Sequence, residues 1–268
     1  MSIPVSVYII TLNEEANLRR LLPQLTSFLE VVIVDSGSQD LTADVARLFP
    51  NVRFMSREWT GFSAQKAYAL SRCRCEWVLN LDADEELTPA YFAAMHEVVR
   101  GGEFDALESR RKLLRWGRAP RTFMKDDVLI RLFRKDCGQY LPVKVHERIV
   151  IRGKIKHTDT YFLHHENLSY TQRIQKSNQY SQLKAEDKFA NGSRCTILHL
   201  LLSFPVAFLA CYLGKGCFLD GSAGVLTSMN HAYYNFMKYA KLWELNRLAA
   251  MSTANSPAIQ RVGVTTNR

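Results

Sequence analysis

Three apolar runs near the start of the chain each end in a polar, acid-bearing cluster, and this repetition constrains the fold more than any other feature. "VSVYII" runs into "TLNEE", "EVVIV" into "DSGSQD", and "EWVLNL" into "DADEE". The runs are continuous and rich in β-branched residues, as in strands buried on both faces. Helical patterns lie between them. Leu18, Leu21, Leu22, Leu25, Phe28 and Leu29 recur at helical spacing, with Pro23 placed to kink or break the run. "SQDLTADVARLF" reads as a helix with Ser38 as N-cap, "VRFMSR" as a third strand and "FSAQKAYALSRC" as a third helix. Thr88 and Pro89 have the form of an N-cap and first helical residue. This alternation predicts a parallel α/β sheet over residues 1–100. Such sheets bind ligands beyond the carboxyl ends of their strands. One polar cluster there would be a loop, whereas three on one edge make a site. No G-x-G-x-x-G follows the first strand and no G-x-x-x-x-G-K-[ST] occurs, so dinucleotide and P-loop readings have no motif behind them.

The third cluster poses a problem of charge. Asp82, Asp84, Glu85 and Glu86 crowd together in a chain whose formal net charge is +9. Neighbouring carboxylates raise one another's pKa unless a cation lies among them. A solvated turn and a divalent metal site both satisfy this spacing. On a strand end, Asp82 and Asp84 would share a face, since side chains alternate.

The excess positive charge suggests an anionic partner. It concentrates in "ESRRKLLRWGRAPRTFMK" and "RLFRKD" without a helix-turn-helix, zinc-finger or RNA-binding signature. That favours a phosphorylated substrate or an acidic membrane over nucleic acid. The cysteines, at 73, 75, 137, 195, 211 and 217, lack zinc spacing and read as reduced thiols. "MSIPVSVYIITLNEE" has neither a basic n-region nor a cleavage site, so it reads as a first strand rather than a signal peptide.

Residues 104–168 read as strands and loops, 169–250 as a helical extension and 251–268 as a loose polar tail. Within the extension, "TILHLLLSFPVAFLACYL" (196–213) is about the minimum length for a membrane span, flanked by Arg194 and Lys215. A buried helix pair, a membrane-surface or re-entrant hairpin, and a true span all accommodate it. The Tyr, Phe, Trp and Lys mixture of "FLDGSAGVLTSMNHAYYNFMKYAKLWE" suits an interface helix.

"VYIITLNEEANL", "VVIVDSGSQDLT" and "VLNLDADEEL" together resemble the nucleotide-sugar half of family 2 glycosyltransferases, which have the GT-A fold. "VLIRLFRKDCGQY", "VKVHERIV" and the C-terminal segment are similar to a narrower bacterial group that includes lipopolysaccharide inner-core β-1,4-glucosyltransferases. The resemblance implies an α/β GT-A domain over residues 1–168, with a nucleotide-sugar half (1–103) and an acceptor half (104–168), followed by a membrane-associating helical extension. It implies an inverting, metal-dependent transfer of a hexose, glucose from UDP-glucose, onto the heptose of the inner core. It also implies a cytoplasmic enzyme peripheral to the inner membrane, with a nucleotide-sugar donor and an anionic glycolipid acceptor. Alternatives are a polyprenyl-phosphate or other envelope transferase of the same fold, and an inactive nucleotide-sugar binding module. A nucleotidyltransferase would need a glycine-rich loop where "IITLNEEANL" has none.

By the same resemblance, Mg²⁺ or Mn²⁺ sits on Asp84 of the D-x-D element, with Asp82 nearer the ribose or a metal-bound water. Asp35 meets the uracil or ribose, and Thr11, Asn13 and Glu14 line the same pocket. Lys66 lies near the diphosphate. A histidine late in the domain joins the metal; of His164 and His165, strand alternation lets one face the site, and His165 is the nominee. An inverting transfer needs a base for the acceptor hydroxyl. Glu147 in "VHER" is the first candidate, with His146 orienting it or meeting the diphosphate, and Asp127 or Asp126 in "KDDV" the next. Plainer roles compete: a helix first-turn acid for Glu14, a solvated lysine for Lys66, and a strand-edge ion pair with Arg148 or Arg152 for Glu147.

Overall fold

The computed structural model describes residues 2–123, 125–140, 149–166 and 168–254, with side chains through 251. His146, Glu147 and Arg148 lie outside the described residues. The chain forms two compact units, Met1–Ala119 with Lys125–Asn167, and Pro120–Met124 with Leu168–Arg268.

The first unit is built on an eight-stranded sheet of order β3-β2-β1-β4-β7-β6-β10-β5. Its strands are β1 (Ile3–Thr11), β2 (Phe28–Asp35), β3 (Val52–Ser56), β4 (Trp77–Asn80), β5 (Glu85–Leu87), β6 (Ala106–Arg115), β7 (Asp127–Arg134) and β10 (Ile155–Glu166). A two-stranded ribbon, β8 (Gly138–Tyr140) with β9 (Ile149–Ile151), accompanies it. β3, β2, β1 and β4 run parallel. β7 is antiparallel to both of its neighbours, and β5 is antiparallel to β10. The result is a mixed, GT-A-like sheet.

Side-chain alternation dresses both faces of the parallel half. Val5, Val7, Ile9, Val31 and Ile33 pack on one side with Leu18 and Leu21 of α1 (Glu15–Leu21), Val45 of α2 (Thr42–Arg47) and Tyr91 and Met95 of α4 (Pro89–Gly101). Tyr8, Val32, Val34 and Val78 face the other side, against Ala69 and Leu70 of α3 (Phe62–Arg72). Two buried faces explain why these strands read as unbroken apolar runs. Burial pushes the Cys73 thiol up to about 12, in keeping with an inert reduced cysteine.

Local signals acted largely as the sequence suggests. Pro23 stops α1, and the chain continues as a 3₁₀ turn over Leu22–Leu25. Thr88 caps α4 by accepting from the Tyr91 N–H at 3.2 Å. Ser38 is not a helix N-cap: α2 starts four residues later, at Thr42, and the Ser38 hydroxyl is spent on Asp35 and the Asn13 N–H. The acids after β4 do not sit on a strand end, because β4 stops at Asn80 and residues 83–84 form a turn closed by the Glu85 N–H on the Asp82 carbonyl (3.0 Å). The alternation argument for Asp82 and Asp84 therefore does not apply. Glu85 and Glu86 then enter β5, a short strand the sequence reading missed.

The second unit contains α5 (Tyr170–Ala190), α6 (Ile197–Leu209) and α7 (Ser222–Ala254). Ser169 and Gln172 close a capping box at the start of α5. α7 packs against both α5 and α6. No residue of α6 is buried, so the reading of 196–213 as a buried helix pair fails. The segment Ile197–Gly214 has a mean hydropathy of 2.0 and leaves Leu198, Leu201, Leu202, Val206 and Leu209 exposed.

Candidate active site

The carboxyl edge of the parallel strands gathers the polar clusters. β1 and β2 end in register at Thr11 and Asp35, and the Thr11 hydroxyl donates to Asp35 Oδ1 at 2.9 Å. Asp35 Oδ2 accepts the N–H groups of Gly37 (2.9 Å) and Ser38 (2.8 Å), and Oδ1 also takes the Ser38 hydroxyl. These four bonds fill the carboxylate's acceptor sites. Asp35 thus shapes its own loop. Asn13 (φ 57°) stitches the first loop to the second: its N–H donates to Ser38 Oγ at 2.7 Å and its side chain accepts the Gln39 N–H at 2.9 Å. Asparagine tolerates this left-handed backbone better than most residues. Glu14 donates its N–H to Thr42 Oγ1 at 2.8 Å and accepts from Asn17 at 2.6 Å. Burial raises the Glu14 pKa, Asn17 opposes that rise, and Asp84 and Asp40 add to it.

The acid cluster is held by cations of the protein itself. Lys66, with its side chain 3% exposed, donates to Asp82 Oδ1 at 2.8 Å, and Arg131 Nη2 donates to Asp82 Oδ2 at 2.7 Å. Arg131 also pairs with Glu85 Oε1, and Glu85 Oε2 accepts the Asp82 N–H at 3.1 Å. Asp82 is held well below the usual carboxylate range: burial works against this, but Arg131 and Lys66 outweigh it. Burial pushes Glu85 up to about 7 despite Arg131 beside it. Lys66 is accordingly no solvated helical lysine.

His164 and His165 point to opposite partners. His165 Nε2 bonds Glu86 Oε2 at 2.7 Å, while His164 Nδ1 lies 3.2 Å from Asp84 Oδ1. The histidine beside Asp84 is therefore His164, not His165. Burial disfavours charge on His164, but the neighbouring carboxylate prevails and raises its pKa. The two facing atoms are shielded from solvent, and neither has hydrogen-bond geometry to the other or to another described residue.

That pair is the test of fit for a divalent cation. Asp84 Oδ1 and His164 Nδ1, 3.2 Å apart and without a hydrogen-bond partner among the described residues, would both reach one cation, and a carboxylate with an imidazole would suit Mn²⁺ better than the oxygen-seeking Mg²⁺. Among the described residues, no three His, Cys, Asp or Glu side chains form a metal cage. Two protein donors suit a cation that takes its remaining oxygens from substrate phosphates and water. Asp84 and His164 thus fit the group. Asp82 spends one bond of each oxygen on Lys66 and Arg131, which leaves it less acceptor capacity for a cation than Asp84 has.

Asp127 begins β7 on the same edge, since β7 runs against β4, and pairs with Arg111 at 2.5 Å. Arg131 is the site residue that sequence reasoning missed. "RLFRKD" reads as part of a basic surface, yet Arg131 is buried, Arg134 pairs with Glu76 and Asp105, and Lys135 donates to the Cys73 carbonyl at 2.6 Å. Arg110 and Arg115 are likewise paired, with Asp159 and Glu166. A signal was present: an arginine inside the apolar strand "DVLIRLFR" needs a buried acid.

Residues 6–149 match the model of glycosyl transferase family 2. The chain belongs to that family. It is 35% identical over 261 residues to the lipopolysaccharide core biosynthesis glycosyltransferase LpsC of Rhizobium meliloti, covering 92% of this chain and 95% of LpsC. An uncharacterized glycosyltransferase of Rickettsia prowazekii is 28% identical over 256 residues, covering 90% of this chain and 87% of the relative. Among solved structures, S. aureus TarS 1–349 in complex with UDP-GlcNAc is similar at a TM-score of 0.46 and 15% identity, covering 93% of this chain and 92% of the 1–349 chain. This family 2 glycosyltransferase is thus related along nearly its whole length to a lipopolysaccharide core enzyme.

Proposed function

We propose that this glycosyltransferase moves glucose from UDP-glucose, with inversion, onto a heptose of the lipopolysaccharide inner core. The observation that carries the chemistry is the Asp84–His164 pair, set beside the Thr11–Asp35 loops at the carboxyl edge of a family 2 sheet. The acceptor class is supported by the relationship to LpsC, named for lipopolysaccharide core biosynthesis.

In this proposal Asp84 and His164 hold Mg²⁺ or Mn²⁺. The cation would neutralise charge developing on the diphosphate leaving group. Asp35 orders the loop that receives the nucleoside, with Thr11, Asn13 and Glu14 beside it. Lys66 and Arg131 fix Asp82. The acceptor hydroxyl loses its proton to a carboxylate as its oxygen attacks the anomeric carbon. Glu147 remains the first candidate for that base and Asp127 the second, although Arg111 already engages Asp127. His164→Gln should weaken Mn²⁺ binding and lower kcat by at least about tenfold, whereas His165→Gln should act mainly on the pairing with Glu86. Equal effects of the two variants would reject His164 as the ligand. Glu147→Gln should abolish transfer while UDP still binds, measured by calorimetry. Normal turnover in that variant, with loss in Asp127→Asn, would move the base to Asp127.

The donor is cytosolic and the acceptor is an anionic glycolipid, so the enzyme is placed on the cytoplasmic face of the inner membrane. The exposed apolar face of α6 supports this placement. Because so many of the arginines in the basic segments are paired internally, apolar insertion carries more of the attraction than charge does. Flotation should therefore show binding to anionic vesicles that persists in part at high salt, and Leu201→Asp with Leu202→Asp should remove it. A wild-type protein that stays soluble with these vesicles at low salt would defeat the membrane placement.

A further inference from the structure

We propose that Arg131 is a positioning residue for the transfer reaction, clamping the Asp82–Asp84 turn together with Glu85 so that Asp84 faces His164. Arg131 comes from β7, which is hydrogen-bonded on both sides, to β4 and to β6. Arg131 itself is the extra residue of a bulge, since Leu132 pairs with Leu107 and Ile130 with Glu108, and a bulge re-aims a side chain, here toward the turn that carries Asp84. Its guanidinium reaches Asp82 Oδ2 at 2.7 Å and also Glu85, and Glu85 returns a bond by accepting the Asp82 N–H at 3.1 Å. These contacts form a closed ring that holds the turn by a side chain and by its backbone. The guanidinium also lies 5.6 Å from the ring centre of Phe162, two residues before His164 on β10.

The ring sets the relation between two distant segments. Glu85 opens β5, and in the β5–β10 ladder it stands directly opposite His164, while the His165 N–H donates to the Asp84 carbonyl at 2.8 Å. Fixing Glu85 therefore fixes Asp84 against His164. Lys66 and Arg131 face Asp82 and Glu85. Removing Arg131 and Glu85 together leaves the Asp82–Lys66 pair intact and the interior neutral. One guanidinium nitrogen, Nη2, serves both carboxylates, so the clamp depends on where the side chain's length and the strand place that nitrogen.

The clamp bears on catalysis insofar as Asp84 and His164 are the cation's ligands, as proposed above. The test is the charge-neutral double variant Arg131→Met with Glu85→Gln, compared with wild type and Asp84→Asn. Mn²⁺ is titrated in the presence of UDP and free Mn²⁺ is read by electron paramagnetic resonance. Backbone exchange at residues 83–86 is read by deuterium uptake. The double variant should melt cooperatively, bind UDP in EDTA as wild type does, bind Mn²⁺ at least about tenfold more weakly and exchange the turn amides faster. A Kd for Mn²⁺ and turn exchange within twofold of wild type would overturn the clamp. If Asp84→Asn binds Mn²⁺ as tightly as wild type, the cation reading falls instead, and the exchange data alone decide the clamp. Should the double variant not fold, Arg131→Lys keeps the buried charge but on a shorter side chain, which draws the shared donor back from Asp82 and Glu85. Weaker Mn²⁺ binding in Arg131→Lys upholds the proposal, and unchanged binding with unchanged exchange rejects it.

Discussion

Asp84→Asn is expected to lower kcat by about 10²–10³-fold, the usual cost of losing one group aimed at developing charge. The substitution keeps the shape of the side chain and removes its charge. Among the described residues no arginine or lysine pairs with Asp84: its neighbour is His164 at 3.2 Å, and the two facing atoms lack hydrogen-bond geometry. By contrast, Asp82 already has Lys66 and Arg131. Removing the Asp84 charge should thus spare the fold while weakening the cation and the donor diphosphate together. Steady-state kinetics with added Mn²⁺ should show kcat falling far more than the melting temperature. Full activity of Asp84→Asn, or of wild type in excess EDTA, would contradict this.

At a pH of about 9, where Glu85 is ionised beside Arg131, Arg131→Ala should be the most destabilising single change at the site, by about 3–5 kcal/mol, because it strands a buried carboxylate. Asp82 retains Lys66, but Glu85, with its side chain 0% exposed, loses its cation. In a chain of this size that corresponds to a fall in melting temperature of roughly 10 °C. Adding Glu85→Gln should recover much of that loss without restoring activity, since the clamp is still absent. A single variant that melts with wild type would show that Glu85 is protonated or solvated instead. Chemical denaturation of the single and double variants, read as midpoints at constant m-value, separates these outcomes.

The contrast between these two residues explains which parts of the molecule could be read from sequence. The β1, β2 and β4 strands declare themselves because both faces are buried, and the polar residues after them fall on one edge by topology. Thr88 and Pro23 act through local backbone chemistry that needs no partner. The cluster at 82–86 has a different character. Its charges are balanced by Lys66, Arg131, His164 and His165, brought from other elements by the sheet order. Sequence shows that a cation is needed, and a metal ion is the economical guess. Two of the four acids instead meet a lysine and an arginine, and one meets His165. Within this cluster, among the described residues, Asp84 and His164 retain the unsatisfied pairing that a divalent ion would complete. The short strand β5 was hidden for a related reason: three residues cannot announce a strand, and its pairing with β10 exists only once residue 162 is folded beside residue 87.

Ser38 shows a local signal outvoted. Its spacing to the following helix suits an N-cap, but the Asp35 carboxylate lies three residues back and offers an acceptor within the same turn. Loop closure on Asp35 takes the hydroxyl, and the helix starts later without a side-chain cap.

Turnover tests the proposed reaction itself. Purified chain is incubated with UDP-glucose, Mn²⁺ and a deacylated, heptose-bearing lipopolysaccharide core, and the product linkage is read by nuclear magnetic resonance. The expected result is acceptor-dependent release of UDP that stops in EDTA, with the new glucose in β-linkage, inverted from the donor. Absence of transfer from UDP-glucose and from every other nucleotide hexose offered with this acceptor, or a product that retains the donor's configuration, would contradict it.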